Sequence, residues 1–226
     1  MRCSPVEVKL SPNPLPLTAL VSFPGSGNTW VRHIVQQATG IGTGSVYCDK
    51  FLRDHGFPFE CIKNGSVVLI KTHEEKISEP NLRFSRIVLL LRNPFDAIRA
   101  EFNRRFSKEN HTGFASETSV KKDWPRVSRE MITTWTRSIV KWTSFQGPIH
   151  VTKYEDWRAK LDQELPRLLQ FMDISVSRRQ LLCAVRNSEG LFHRKAGGSS
   201  LEFDKASRDI LNAKIQFIFR KTKIKF

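Results

Sequence analysis

The stretch VSFPGSGNTW, at residues 21–30, decides the fold of this chain. A largely apolar run ends at Pro24, a loop with two glycines follows, and a helical pattern begins at about Thr29. Glycines allow backbone N–H groups to close around an anion, and the N-terminus of the helix adds the positive end of its dipole. The stretch therefore predicts a strand, an anion-binding loop and a helix in immediate succession.

This loop differs from the nucleoside-triphosphate P-loop at two positions. The chain has Ser22 where that motif carries its first glycine, and Asn28 where it carries lysine. Without that lysine, a metal-assisted ATPase or kinase is disfavoured and remains the weakest alternative. The plainer alternative is an ordinary strand-to-helix turn whose tryptophan belongs to the core.

Composition predicts a globular protein with an anionic partner. The 226 residues suffice for one domain with a sizeable core, and 39% of them are hydrophobic. The net charge of +15 fits a nucleic acid, an anionic membrane surface or a phosphorylated or acidic substrate. No run approaches the ~18 apolar residues that span a bilayer, and residues 1–16 do not resemble a signal peptide. We expect an N-terminal extension over residues 1–16 and a single domain over residues 17–226.

The four cysteines leave two alternatives open. Cys3, Cys48, Cys61 and Cys183 lack the spacing of metal ligands. Cys48 and Cys61 can form a disulfide in an oxidising compartment, or they can be buried thiols.

Alternating strand and helix patterns predict an α/β domain with a parallel sheet between helices. The predicted strands are Leu17–Phe23, Val67–Lys71, Ile87–Leu91 and Ile149–Tyr154. Helical patterns occupy about residues 29–39, 94–106, 132–142, 161–172 and 204–219. Residues 40–65 lack periodicity and are expected to shape a ligand site.

Polar residues follow three of these strands. The first strand leads into residues 24–30, the second into Lys71-Thr72-His73-Glu74, and the third into residues 92–96, which read RNPFD. Ligands of open α/β sheets bind beyond the carboxyl ends of the strands. We therefore expect a cation, a base and an anion-binding loop to meet at one edge.

These segments resemble the sulfotransferase family that uses 3'-phosphoadenosine 5'-phosphosulfate (PAPS). The matching segments are PGSGNTW at 24–30, KTH at 71–73, RNPFD at 92–96, YED at 154–156 and RKAG at 194–197. Each is weak alone, but the order and spacing hold over residues 17–198. The segments GSVY at 44–47 and KTHE at 71–74 are most similar to the sulfotransferase domain of WSC-domain-containing (WSCD-type) proteins.

The resemblance implies a P-loop NTPase-like fold and transfer of a sulfuryl group from PAPS to a hydroxyl, without a metal. It also implies a glycan or acidic acceptor, with sialic acid as one candidate, and a Golgi location; a soluble cytoplasmic form stays open. The alternative is a catalytically degenerate nucleotide- or anion-binding module of the same fold. A nucleic-acid partner is disfavoured because the sequence has no helix-turn-helix signature or zinc-ligand spacing.

The resemblance also implies the roles of the site residues. His73 would be the general base and Lys71 would stabilise developing charge, with Glu74 as a second candidate base. An imidazole near its usual pKa of ~6.5 suits that role. The residues expected to bind the donor nucleotide are Gly25, Ser26, Gly27, Asn28, Thr29, Trp30, Arg92, Tyr154, Arg194, Lys195 and Gly197.

Two positions depart from the family pattern. The family's loop lysine is Gly25 here, and we expect Lys71 or Arg32 to supply the cation instead. The family's serine at the 3'-phosphate site is Ala100. We expect Arg99, Arg104 or Arg105 to compensate for that serine.

Overall fold

The computed structural model describes residues 3, 4, 6–74, 82–107, 112–192 and 200–226. Its centre is a five-stranded sheet in the order β2-β3-β1-β4-β5, and every pairing is parallel. The strands are β1 (Thr18–Ser22), β2 (Gly44–Ser45), β3 (Ile70–Thr72), β4 (Arg86–Leu91) and β5 (Ile149–Lys153). The predicted parallel α/β sheet is confirmed, and each of the four predicted strands is present, although the second begins at Ile70 and not at Val67. The two-residue β2 is too short to leave a pattern in the sequence.

Eight helices lie within the described part of the chain, and five of them match the predicted patterns. They are α1 (Asn28–Thr39), α2 (Lys50–Asp54), α3 (Pro94–Phe106), α4 (Glu117–Thr143), α5 (Tyr154–Ala159), α6 (Leu161–Phe171), α7 (Arg178–Arg186) and α8 (Lys205–Thr222). Helix α1 ends at Gly40 in a left-handed conformation, where glycine carries no steric cost. Helices α2, α5 and α7 were not predicted.

Strand β1 is buried on both faces, which explains its continuous apolar sequence. Ala19 and Val21 face one core, which also contains the apolar stripe of α4, including Trp135. Leu20, between them, faces a second core built mainly from α1 and α6. The helix that follows β1, α1, packs in the second core, whereas α3 and α4, which follow the neighbouring strand β4, pack in the first, so the chain leaves these two strands toward opposite faces of the sheet. That change of direction is where open α/β sheets form a ligand crevice.

Two disulfides fasten segments outside the sheet. Cys48 pairs with Cys61, one of the two alternatives left open by the sequence, and Cys3 pairs with Cys183 on α7. The N-terminal segment is also bonded through its backbone: Lys9 donates its N–H to the Gly40 carbonyl at 2.8 Å. In the described ranges, no helix combines the length and the apolarity needed to cross a membrane.

Candidate active site

The loop between β1 and α1 forms an open cradle of backbone groups. Gly27 is the N-cap of α1, has a left-handed backbone (φ 93°), and provides no side-chain hydrogen bond to the first turn. The first N–H groups of a helix have no partners within the helix, so here they are available to a ligand. The cradle opens into a cavity of about 720 Å³.

Close packing explains why glycine occupies two positions in this cradle. A Cβ atom on Gly27 would lie 2.5 Å from Cδ2 of Tyr154, and one on Gly25 would lie 2.5 Å from the Ala97 carbonyl oxygen of α3. The same atom on Gly25 would lie 3.1 Å from Cβ of Ala100. The two departures from the family pattern therefore touch each other. A lysine at position 25 would require α3 to move.

Two polar side chains of the cradle are turned or buried away from the cavity. Asn28 donates its side-chain amide to the Leu20 carbonyl at 3.1 Å and to Ser22 Oγ at 3.2 Å, which turns it back toward β1. Ser26 is buried and does not line the cavity, whereas Thr29 does.

His73 lies just beyond β3, and its hydrogen bonds define its tautomer. Its Nδ1 is 2.8 Å from the carbonyl oxygen of Ser22. Because a carbonyl only accepts, Nδ1 carries the proton of the neutral ring and Nε2 carries the lone pair. Burial, and then the charge of Lys71, lower the pKa of His73 to about 3, so the ring is neutral at pH 7. The expectation of an ordinary imidazole pKa is therefore wrong for the unliganded protein.

Lys71 is the second candidate catalytic residue, and it is almost fully buried. Only 7% of it is exposed. Burial is the largest cause that lowers its pKa to about 8, and the charge of Arg32 adds to the effect. Its Nζ lies 5.8 Å from the centre of the Tyr47 ring. Lys71 and His73 line the cavity together, as expected from their shared strand end.

Arg92 connects the cradle to the end of β5. It donates from Nη1 to the Gly25 carbonyl at 2.7 Å, and its guanidinium lies 4.5 Å from the centre of the Tyr154 ring. Its Nε is buried and has no hydrogen-bond partner. Arg92 therefore has donor capacity left for an anion in the cavity.

Two aromatic residues line the cavity beside the cradle and Arg92. Trp30 makes an edge-to-face contact with Tyr154, with ring centres 5.5 Å apart, and donates its indole N–H to the Ser188 carbonyl at 2.8 Å. Arg158 lies over the Trp30 ring at 5.9 Å. Both aromatic residues were expected at the site, and both line the cavity.

The structure places one expected compensating residue elsewhere. Arg32 is fully buried, pairs with the buried Glu60, and donates from Nε to Thr43 Oγ1 at 2.9 Å. It therefore does not supply the cavity with a cation, and that expectation is wrong. The spacing of α1 gave no sign of Glu60, which lies far along the chain.

Among the three arginines of α3, only Arg104 lines the cavity. Arg99 donates to the Leu201 carbonyl at 2.9 Å, and Arg105 pairs with the buried Glu101. Arg104 also binds Glu101, through two hydrogen bonds of 2.7 and 2.8 Å. The expectation that Arg99 or Arg105 compensates at the site is therefore wrong.

Four further residues were expected at the site. Glu74 does not line the cavity, while Arg194, Lys195 and Gly197 lie outside the described residues. The sequence analysis assigned no role to seven residues that do line it: His33, Tyr47, Asp49, Arg158, Glu189, Gly190 and Phe192. For Tyr47 the signal existed, because it ends the segment GSVY that carries part of the family resemblance.

Comparison with known proteins identifies the class. The family model described as a sulfotransferase domain matches residues 16–190, so the chain belongs to the sulfotransferase domain family. Within that class it is similar to WSCD family members. It is 42% identical over 199 residues to one from Drosophila melanogaster, covering 84% of this chain and 61% of that protein. One from Aedes aegypti is 39% identical, with coverage of 86% and 61%. The chain thus spans about three fifths of the length of these relatives.

Solved structures confirm the sulfotransferase fold. Mouse sulfotransferase SULT7A1 complexed with PAP (3'-phosphoadenosine 5'-phosphate) matches with a TM-score of 0.63 and 14% identity, over 95% of this chain and 87% of that one. Retinol dehydratase in a complex with retinol and PAP matches with a TM-score of 0.59 and 16% identity, over 95% and 84%. At these identities the likeness establishes the fold.

Proposed function

We propose that this chain transfers a sulfuryl group from PAPS to a hydroxyl group of a glycan. The observation that carries the proposal is that an uncapped helix N-terminus, a candidate base and four cationic side chains face one cavity, against two carboxylates, Asp49 and Glu189. Membership of the sulfotransferase domain family supports the reaction class. The donor is supported by the PAP bound in two of the structural neighbours.

The cavity suits a nucleotide with two phosphate-like groups. Its volume of about 720 Å³ lies within the range of ~300–1,000 Å³ that is common for small-molecule sites. The main chain of residues 25–29 would hold the 5'-group, and Arg92, with its unpartnered Nε, would hold the 3'-phosphate. Trp30 and Tyr154 would border the adenine.

In this proposal His73 and Lys71 are the catalytic residues that the protein contributes. PAPS supplies the activated sulfuryl group. Nε2 of His73 would take the proton of the acceptor hydroxyl, and the ammonium of Lys71 would stabilise charge that develops on neighbouring oxygens. An anion close to His73 favours its protonated form and raises its pKa from the low value of the free protein.

Several features support an acidic glycan as the acceptor. The chain carries a net charge of +15, and Arg104 and Lys71 both line the cavity. The buried carboxylate of Glu101 fixes Arg104 with two hydrogen bonds. Sialic acid as the sugar rests on the resemblance to WSCD-type proteins. A Golgi lumen would also suit the two disulfides, because disulfides persist in oxidising compartments.

Calorimetric titration with PAP, and separately with ATP and Mg²⁺, tests the donor. We expect PAP to bind without metal, and Arg92→Ala to weaken it by at least tenfold because the variant removes a bidentate cation. Arg126→Ala is the matched control, since Arg126 is exposed and pairs with Glu130 on α4. Preference for ATP with Mg²⁺, or equal PAP affinity in all three proteins, would contradict the proposal.

The degenerate-module alternative is favoured by one observation, the replacement of two family residues by Gly25 and Ala100. It is separated from the enzyme by a second measurement, the release of PAP from PAPS in the presence of sialylated and neutral glycans. An enzyme releases PAP in an acceptor-dependent manner that His73→Ala abolishes. A degenerate module binds PAP equally well in the unmodified chain and in His73→Ala, and neither protein releases PAP from PAPS.

A further inference from the structure

Tyr47 contacts both candidate catalytic residues. Its hydroxyl accepts a hydrogen bond of 2.7 Å from the backbone N–H of His73. Its ring stacks on the His73 imidazole, with centres 5.7 Å apart and planes inclined by 23°. The ammonium of Lys71 lies 5.8 Å from the centre of the same ring.

The backbone around Tyr47 is fastened on both sides. Before it, Val46 donates its N–H to the Lys71 carbonyl at 3.1 Å, so this segment is bonded to β3 itself. After it, Cys48 has a left-handed backbone (φ 50°) and forms the disulfide with Cys61. Asp49 then caps α2 by accepting the Leu52 N–H at 3.1 Å. Tyr47 is therefore held in place by covalent and backbone bonds independent of any ligand.

We propose that Tyr47 is a positioning residue for the base of the reaction. Its hydroxyl fixes the main chain where β3 ends, and its ring fixes the plane of the imidazole and covers part of it. The catalytic consequence rests on the proposed function. The positioning itself does not, because it can be measured on His73 directly.

The charges around His73 make this positioning measurable. Lys71, Arg104 and Arg32 all lower the pKa of the imidazole, and the Ser22 carbonyl raises it, but burial is the largest cause of its low value. Partial burial raises the pKa of Tyr47, of which 42% remains exposed, so its hydroxyl stays neutral at pH 7. Removal of the Tyr47 ring admits water to His73, which favours the charged imidazole and raises its pKa.

The experiment follows the titration of His73 by NMR in the full chain, with the signal assigned by its loss in His73→Asn. We expect Tyr47→Ala to raise the pKa of His73 by at least one unit. We expect Tyr47→Phe to leave it within half a unit, because the ring remains. The matched control is Phe51→Ala, since Phe51 lies on the same segment but stacks on His55 with ring centres 4.2 Å apart. It should leave the His73 titration unchanged.

Activity and PAP binding complete the test. Both Tyr47 variants should bind PAP within about twofold of the unmodified chain, and Tyr47→Ala should lower turnover by about tenfold or more. Tyr47→Phe should lower it by severalfold through loss of the bond to the His73 N–H. An unchanged His73 pKa in Tyr47→Ala would overturn the inference. Failure of PAP to bind any of the proteins would overturn the proposed function instead and leave the titration result standing.

Discussion

The two ends of the cavity are built in different ways. The cradle end comes from one contiguous stretch, residues 24–30, and presents mainly backbone groups. The catalytic end assembles side chains from distant segments: Tyr47 from the loop after β2, Lys71 and His73 from the end of β3, and Arg104 from α3. Binding in a backbone cradle depends on the space around its glycines. Catalysis at an assembled end depends on the functional groups of individual side chains. Variants of the cradle and of His73 should therefore separate binding from turnover, while Lys71 lies where the two ends meet.

The largest effect is expected at the assembled end. We expect His73→Ala to reduce the rate of sulfuryl transfer by ~10²–10⁴-fold, because this is the usual contribution of a general base. PAP affinity should stay within about twofold, since the cradle and Arg92 are untouched. Steady-state turnover and calorimetry on the same preparations measure both quantities.

His55→Ala provides the control for His73→Ala. His55 is exposed and does not line the cavity, so both turnover and PAP affinity should remain unchanged. Full turnover in His73→Ala would remove His73 from the role of base.

At the cradle end, Gly27→Ala should reduce PAP affinity by about ten- to a hundredfold. The new Cβ would lie 2.5 Å from the Tyr154 ring, and the left-handed backbone of Gly27 is strained for any residue with a Cβ. To relieve this contact, the Tyr154 ring or the N-terminus of α1 must move, and either movement widens the cradle and weakens its contacts with PAP. Calorimetric titration with PAP measures the loss.

Gly56→Ala separates backbone strain from loss of the site. Gly56 also has a left-handed backbone (φ 101°), but a Cβ there would have no neighbour within 4 Å. Both variants should lower the melting temperature, and only Gly27→Ala should weaken PAP. Equal affinities in the two variants would show that the cradle does not hold the nucleotide.

The difference between the contiguous cradle and the assembled catalytic end also explains how much of the site could be predicted from the sequence. The cradle was predictable because its strand, glycines and helix are adjacent, and local sequence determines local backbone. Lys71, His73 and Arg92 were predictable because parallel strands bring their carboxyl ends to one edge. Neither inference requires knowledge of packing between distant side chains.

Burial and pairing were the parts that could not be predicted. Arg32 was expected in the cavity, but the buried carboxylate of Glu60 holds it inside the protein. Three arginines of α3 were equivalent in the sequence, but Arg99 bonds to the Leu201 carbonyl, and of the two that pair with Glu101 only Arg104 lines the cavity. Which arginine reaches the cavity depends on contacts with segments that are distant in the sequence, and hydrophobic periodicity does not reveal such contacts. The seven cavity residues without a predicted role were missed for the same reason.

The smallest expected effect is a pH dependence of PAP affinity that arises from Lys71. With a pKa of about 8, its amine is cationic below that pH in the free protein and loses its charge as the pH rises through 8. A bound anion favours the cation and raises this pKa, so binding is strongest below pH 8 and requires proton uptake above it. We expect PAP affinity to fall by about three- to tenfold between pH 7 and pH 9. Phosphate groups with a second pKa of ~6 contribute little in this range.

Calorimetry with PAP at pH 7, 8 and 9 checks this dependence, and titration at pH 8.5 in two buffers of different ionisation enthalpy counts the protons taken up. In Lys71→Gln the affinity should be lower at pH 7 and nearly constant to pH 9, and proton uptake should disappear. An equally steep decline in Lys71→Gln would assign the pH dependence to another group. A flat profile in the unmodified chain would mean that the Lys71 amine lies too far from the bound anion to feel its charge, and the catalytic end would then act on the acceptor through His73 and Arg104.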